Sequence, residues 1–336
     1  MFWKVLVVFL GVLTVHLCQE TSTRAARPMK LIIDTDAGGD DAVAILLALA
    51  SKEVQVIAIT CVYGNTDEAN VETNVLKILT VAGRSDIPVY GGAKKPLLQN
   101  YTAGDYFGKD GLGDFEFGRD IVGRVDSSKH AALAMVELVR QYSGNISILT
   151  LGPLTNVALA ASLDPSFTHS VNRIYVMGSA VQDPKPGIES ENREIEFNFS
   201  LDSESNAIVL NSSTKVKSFI APWDVVVKNS ISKEWRMNVL GSLSSEAMIF
   251  LNKVEHMILK RLTEWLPADS IAVATMIWPD LITSSIEARM SSVTYGPLKG
   301  SVLVETEGVR NEDKNVEIVR DFNVAAFKDK LLENLA

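Results

Sequence analysis

Cysteine and histidine are both scarce in this chain, with two cysteines and four histidines in 336 residues. So few cysteines exclude a disulfide framework, and Cys61, set in an apolar run, reads as a buried free thiol. Basic charge is also short: 32 Lys and Arg stand against 41 Asp and Glu, a net charge of −9. That balance argues against a nucleic-acid partner, which needs clustered positive charge, and favours a small neutral substrate or one handled through a metal. No internal repeat, low-complexity tract or Pro- or Ser-rich linker breaks the chain. A single domain over 28–336 is the simplest organisation, and a hydrophobic fraction of 47% supplies its core.

The first stretch reads as an address rather than part of the fold. Met1-Phe2-Trp3-Lys4 gives a short positive start, Val5 to Leu17 is mostly apolar, and polar Gln19-Glu20-Thr21-Ser22 follows. The run is short for a bilayer span, so a signal peptide over 1–20, a secreted, extracellular protein and no stable membrane anchor are expected. An uncleaved anchor is the competing reading. Cys18 leaves with that segment or sits in a tail. Sequons begin at Asn100, Asn145, Asn198 and Asn211, and Asn100, in a polar loop, is the best placed for a glycan.

Further on, short apolar runs alternate with helical periodicity. Lys30 to Ile33, Val54 to Thr60, Pro88 to Tyr90, Ile146 to Leu151, Ile174 to Met177 and Val216 to Ile220 read as strands. Helical stretches lie between them, at Ala42 to Ala50, Asp67 to Ala82, Lys129 to Tyr142, Thr155 to Leu163 and Asp202 to Leu210. This alternation predicts an α/β fold with an open, mostly parallel, Rossmann-like sheet flanked by helices, whose ligands bind beyond the carboxyl ends of the strands. Ala93 to Ser127 lacks periodicity and is long enough for a functional loop or lid. A hairpin is expected within Ala288 to Glu305, around Tyr295-Gly296-Pro297.

At the tip of the first strand lies Asp34-Thr35-Asp36-Ala37-Gly38-Gly39-Asp40-Asp41. Acids packed this closely repel one another unless a cation neutralises them. With no His or Cys nearby, the oxygens select Ca²⁺ or Mg²⁺ over zinc. Gly38 and Gly39 are expected to let the backbone turn tightly enough for the acids to converge. The plainer reading, that Asp40 and Asp41 only cap a helix, leaves the rest of the cluster unexplained.

These residues resemble the N-terminal signature of the inosine-uridine preferring nucleoside hydrolase family, usually Asp-x-Asp-Pro-Gly-x-Asp-Asp-Ala, with Ala37 standing where proline is usual. That departure is expected to loosen the turn. Further segments follow in the family's order: Asn65 after the second strand, Asp110-Gly111-Leu112-Gly113, Leu151-Gly152-Pro153-Leu154-Thr155-Asn156, Met177-Gly178, and Glu196-Phe197-Asn198. The match runs from about Lys30 to the Asp269 region. The resemblance implies hydrolysis of the N-glycosidic bond of ribonucleosides, a Ca²⁺ cofactor and a homo-oligomer, dimer or tetramer. It assigns Asp36, Asp41, Asp269 and the Leu151 carbonyl to the metal, and makes Asp36 the general base. Asp40, Asn65, Glu196 and Asn198 would hold the ribose, with Asn192 or Ser190 as a further contact. Met177 lines the sugar pocket or fills the core. Glu196 and Asn198, two apart, would point to one side of an extended segment. Asn156 reads as a structural residue at a helix start.

The half that meets the base is less well specified. In one branch of the family a His precedes the last calcium-binding Asp, but here Ala268 holds that place, and none of His16, His130, His169 and His256 falls near a motif. Stacking of a purine on Trp223, Trp265 or Phe107 is the alternative way to activate the base, so purine nucleosides such as inosine are expected over pyrimidine ones. Two other functions compete. A Mg²⁺-dependent phosphatase with an Asp-x-Asp nucleophile would leave Asp40 and Asp41 without a role. A secreted, non-catalytic riboside- or calcium-binding protein would leave the base Asp36 without one.

Overall fold

The structure, a computed structural model, describes residues 27–181, 195–212 and 216–336. The expected signal segment at 1–20, Cys18 and both alternatives for the further ribose contact, Ser190 and Asn192, lie outside the described residues.

The alternation in the sequence folds as expected. Strands β1 (Met29–Thr35), β2 (Val54–Cys61), β3 (Val89–Tyr90), β4 (Ile146–Thr150), β5 (Ile174–Met177) and β6 (Ser218–Ala221) pair in parallel. β7 (Ile231–Ser232) and β8 (Glu264–Trp265) form a small separate ribbon. β9 (Ile282–Ser292) and β10 (Val302–Glu305) are the expected hairpin, and β11 (Val316–Phe322) joins it antiparallel to β9 and parallel to β6. The nine-stranded order is β10-β9-β11-β6-β5-β4-β1-β2-β3.

That order contains a reversal. From β1 the chain builds outward through β2 and β3, then returns to place β4 on the other side of β1 and builds outward again. The crevice between the carboxyl ends of β1 and β4 is therefore the switch point, where an open α/β sheet binds its ligands. Asp34 lies at the end of β1, Asp36 just past it, and Leu151 follows β4, so both leading segments of the sequence signature meet there.

Helices cover both faces. α1 (Gly39–Ala50) and α2 (Glu68–Ala82) lie on one side, and α3 (Ala131–Gln141), α4 (Thr155–Leu163) and the short α5 (Phe167–Ser170) on the other. α6 (Phe197–Leu201), α7 (Ser203–Asn211) and α8 (Trp223–Lys228) follow. α9 (Lys233–Asn238), α10 (Glu246–Val254), α11 (His256–Arg261), α12 (Ala268–Ile277) and α13 (Val324–Leu335) complete the chain. Leu31 and Ile33 of β1 pack with α1 on one face, while Ile32 packs with Met135 and Val157 on the other. Alternate residues of β1 thus enter two different cores, as a strand buried on both faces must. Cys61 is a buried free thiol, and Asn100 is exposed, as the sequence indicated.

Candidate active site

Asp36 stands just past the end of β1, 1% exposed, in a slot that two glycines keep open. A β-carbon on Gly64 would lie 2.1 Å from its Oδ2, and one on Gly152 would lie 3.0 Å from its Cβ. The Asn65 backbone N–H donates to Oδ2 at 2.7 Å, while the buried Oδ1 has no hydrogen-bond partner. One oxygen is fixed and the other is left for a ligand.

Asp40 and Asp41 open α1. Asp41 is anchored twice, accepting from the Thr35 hydroxyl at 2.5 Å and from the Gly38 N–H at 2.9 Å, and the Asn65 amide donates to it at 3.2 Å. Asp269 comes from the first turn of α12, far away in sequence. One oxygen each from Asp40, Asp41 and Asp269 lies within 4.8 Å of the others. Burial pushes the carboxyls of Asp36, Asp40 and Asp269 well above the ordinary range, and repulsion among the acids pushes further in the same direction. All-carboxylate donors in a buried cluster fit a hard divalent cation, which relieves both the repulsion and the unpaired Oδ1. The Leu151 carbonyl accepts the Asn198 amide at 2.6 Å and keeps a second lone pair.

Asp34 is placed differently. It accepts from Thr60 at 2.7 Å and from Asn156 at 2.9 Å, and burial raises its carboxyl to about 7. Asn156 also donates to the Cys61 carbonyl and accepts from the Ala93 N–H. This side chain ties β1, β2 and the start of the long loop together, in line with its structural reading.

The signature glycines act in a way that differs from the expected tight turn. Gly38 has φ −80°, which any residue adopts, whereas Ala37 sits at φ 35°. Proline's ring fixes φ near −65°, so the alanine permits a left-handed turn that proline forbids rather than merely loosening it. Gly38 and Gly39 instead leave room for neighbours: added β-carbons would fall 2.4 Å from Asn65 Nδ2 and 2.7 Å from Phe107 Cδ1. The Ala93 to Ser127 loop is thereby seated directly on the acidic loop, with Phe107 only 8% exposed.

The Glu196-Phe197-Asn198 segment also departs from expectation. Glu196 is the N-cap of α6, not part of an extended run, and accepts from the backbone N–H groups of Asn198, Phe199 and Ser179. Glu196 and Asn198 still converge, because a capping carboxylate folds back over the first turn of its helix. Burial raises the Glu196 carboxyl to about 7, while the three N–H donors act to lower it.

A cavity of about 650 Å³ opens above these groups. Asp40, Asn65, Phe107, Leu151, Met177, Glu196, Asn198, Trp223, Trp265 and Asp269 all line it, while Asp36 and Asp41 sit in the wall behind Asp40 and Asn65. Met177 therefore faces the cavity as well as the core. Ala268 lines it at the place where a His was considered, and no described histidine does. His130 and His169 are exposed at helix ends. Sequence reasoning missed Tyr106, Glu255, Ile258 and Arg261, which form much of the remaining wall. They come from a loop and the α10–α11 region, where no motif or periodicity marks a ligand-facing position.

Comparison with known proteins agrees with this geometry. The sequence profile of the inosine-uridine preferring nucleoside hydrolase family matches residues 31–329. The chain is 31% identical to the pyrimidine-specific ribonucleoside hydrolase RihA of Citrobacter koseri over 316 residues, covering 92% of this chain and 98% of that one. It is 43% identical over 153 residues to a probable uridine nucleosidase 1 of Oryza sativa subsp. japonica, covering 45% of this chain and 47% of that one. The chain thus spans about half the length of this and other plant relatives it matches. A solved inosine-guanosine nucleoside hydrolase superposes with TM-score 0.80 at 26% identity, covering 91% of this chain and 98% of that one. With its acidic switch-point cluster and a family match that runs almost from end to end, the chain belongs to the inosine-uridine preferring nucleoside hydrolase family.

Proposed function

We propose that the protein hydrolyses the N-glycosidic bond of ribonucleosides, with Ca²⁺ bound by Asp36, Asp41, Asp269 and the Leu151 carbonyl. The observation that carries this reading is the free, buried Oδ1 of Asp36 beside three converging carboxylates. When bound, the ion supplies a hard positive charge that polarises the oxygens in contact with it.

The chain's own residues account for the other requirements. Asp36 takes the proton from the attacking water, its carboxylate held in place by the Asn65 N–H at Oδ2. Asp40, Asn65, Glu196 and Asn198 grip the ribose hydroxyls from the cavity wall. As the bond from C1′ to the base nitrogen breaks, positive charge develops on the sugar, and the surrounding carboxylates stabilise it. Water adds to C1′, and the departing base keeps the bonding pair and receives a proton. Phe107, Trp223 and Trp265 form apolar walls that exclude water from the base side.

Purine nucleosides, inosine above all, are the substrates we favour. A cavity of about 650 Å³ with two indole walls suits a bicyclic base. The names of relatives divide, since some are uridine nucleosidases and a solved neighbour is an inosine-guanosine hydrolase. Incubation with inosine, guanosine, uridine and cytidine, with and without chelator, tests the reading. Release of free ribose that stops on chelation and in Asp36→Asn supports it. Ribose release by Asp36→Asn at the wild-type rate refutes the role of the base. Export through 1–20 and assembly into a homo-oligomer complete the proposal; the N-terminal sequence of secreted protein and its mass by light scattering test them.

A further inference from the structure

A buried ion pair stands behind the base-side wall of the cavity. Arg236, on α9, is wholly buried, and Glu255, at the α10–α11 junction, is 2% exposed. Arg236 Nε donates to Glu255 Oε2 at 2.8 Å and Nη2 lies 2.6 Å from the same oxygen. The other oxygen, Oε1, accepts the Trp265 indole N–H at 2.6 Å. The guanidinium carbon also stands 5.6 Å from the Trp265 ring centre. Asn252 holds the arginine in turn, accepting from Nη1 at 2.8 Å while its own amide donates to the Gly241 carbonyl at 2.8 Å. Glu255 and Trp265 line the cavity together with Ala268 and Asp269, whereas Arg236 does not reach it.

A pair of this kind is an odd choice for a wall that needs only stability. Removing two charges from water costs several kcal/mol, and apolar residues of equal volume give folds at least as stable. What the pair supplies is direction. A carboxylate with one oxygen held by a guanidinium leaves the other at a fixed point, and an indole N–H bound there loses its freedom to rotate.

We propose that Arg236 and Glu255 are positioning residues that lock the Trp265 indole as a fixed face for the nucleobase. They govern recognition of the base more than cleavage of the bond. The inference rests on the nucleoside reading of the same cavity.

Arg236→Met/Glu255→Met replaces the pair with apolar side chains and leaves no unpaired buried charge, so a cooperative melt is expected. KM for the preferred nucleoside should rise about tenfold or more while kcat falls by less than about threefold. Trp265→Phe, which keeps a ring but loses the N–H, should raise KM similarly. Combining all three substitutions should add little, because the pair acts only through the indole. Arg236→Lys should recover part of the loss. Quenching of tryptophan emission by inosine or uridine should be strong in the wild type and weak in the Met/Met protein. A Met/Met variant with KM within about twofold of wild type, or additive effects with Trp265→Phe, overturns the proposal. If the Met/Met variant does not melt cooperatively, Trp265→Phe and Arg236→Lys carry the same comparison. Should the wild type release no ribose at all, the hydrolase reading fails separately. The quench still decides the positioning role, and one that survives in the variant, or is absent from the wild type, refutes it.

Discussion

The Phe107 ring lies against the backbone of Gly39, so closely that a β-carbon there would stand 2.7 Å from ring Cδ1. The glycine belongs to the acidic loop and the phenylalanine to the long loop, which are otherwise separated by more than a helix and a strand. Their contact fixes how the long loop covers the cavity. Gly39→Ala should push Phe107 aside and raise KM several-fold, with a smaller loss of stability of about 1–3 kcal/mol from overpacking. Phe107→Ala on top of Gly39→Ala relieves the clash, so stability should return toward that of Phe107→Ala alone. Denaturant melts of the four proteins measure the coupling, and strictly additive values would refute the contact.

Ala37 makes the second prediction. Its φ of 35° is closed to proline, and its N–H donates to Thr35 Oγ1 at 3.0 Å, the hydroxyl that in turn donates to Asp41. Ala37→Pro restores the residue usual in the family signature, yet it should destabilise this protein by about 3 kcal/mol or more and weaken metal affinity, through the lost N–H and the forced φ. Ala37→Gly removes the left-handed cost but also the buried methyl, so it should be close to neutral. Melting curves of both variants decide the matter, and a stable Ala37→Pro protein would sink this account of the turn.

These two positions show where the sequence was legible. The acids, the strand that carries them and the parallel sheet follow from local pattern, because burial on both faces leaves an apolar run and the acids stand within eight residues of one another. Asp269 and Leu151 were found through resemblance, since nothing local ties a helix start near the C-terminal end to the tip of β1. The positive φ of Ala37 and the capping role of Glu196 depend on neighbours brought in by tertiary packing. Phe107, Trp223 and Trp265 were legible as aromatic candidates, but the rest of the base-side wall was missed for the same reason. Arg236 lies in the short α9 and Glu255 between α10 and α11, and only the fold reveals that they meet at Trp265.

Metal removal gives a further prediction. Four closely packed acids, three of them buried, would be relieved together by a cation, and an ion that binds the native state alone should raise stability by about 2.7 kcal/mol at roughly 100 times its Kd. Chelation should lower the melting temperature, and Ca²⁺ should restore it. In Asp269→Asn the repulsion falls and the ligand set is incomplete, so the apo protein should melt at a higher temperature than wild-type apo protein, with a smaller gain from Ca²⁺. Equal Ca²⁺-induced shifts in the two proteins would argue against Asp269 as a ligand.

Glu196 supplies the pH dependence. Burial raises its carboxyl from 4.5 to about 7, even though three backbone N–H groups favour the charged form. The folded state therefore holds a proton that the unfolded chain gives up at lower pH. The contribution of this group is fully present below 4.5 and is lost progressively as pH rises through about 7. Glu196→Gln stays neutral throughout, so the decline in stability between those two values should be shallower in the variant than in the wild type. The amide has one acceptor oxygen where the carboxyl uses two, so it keeps the N–H groups on one side only and adds a loss of stability that does not vary with pH, while removing the charge proposed to meet the ribose. KM should accordingly rise in Glu196→Gln, and most strongly above about pH 7, where only the wild type is ionised. Denaturant melts across this range, paired with KM at its two ends, test both halves, and parallel stability profiles for the two proteins would refute the shifted carboxyl.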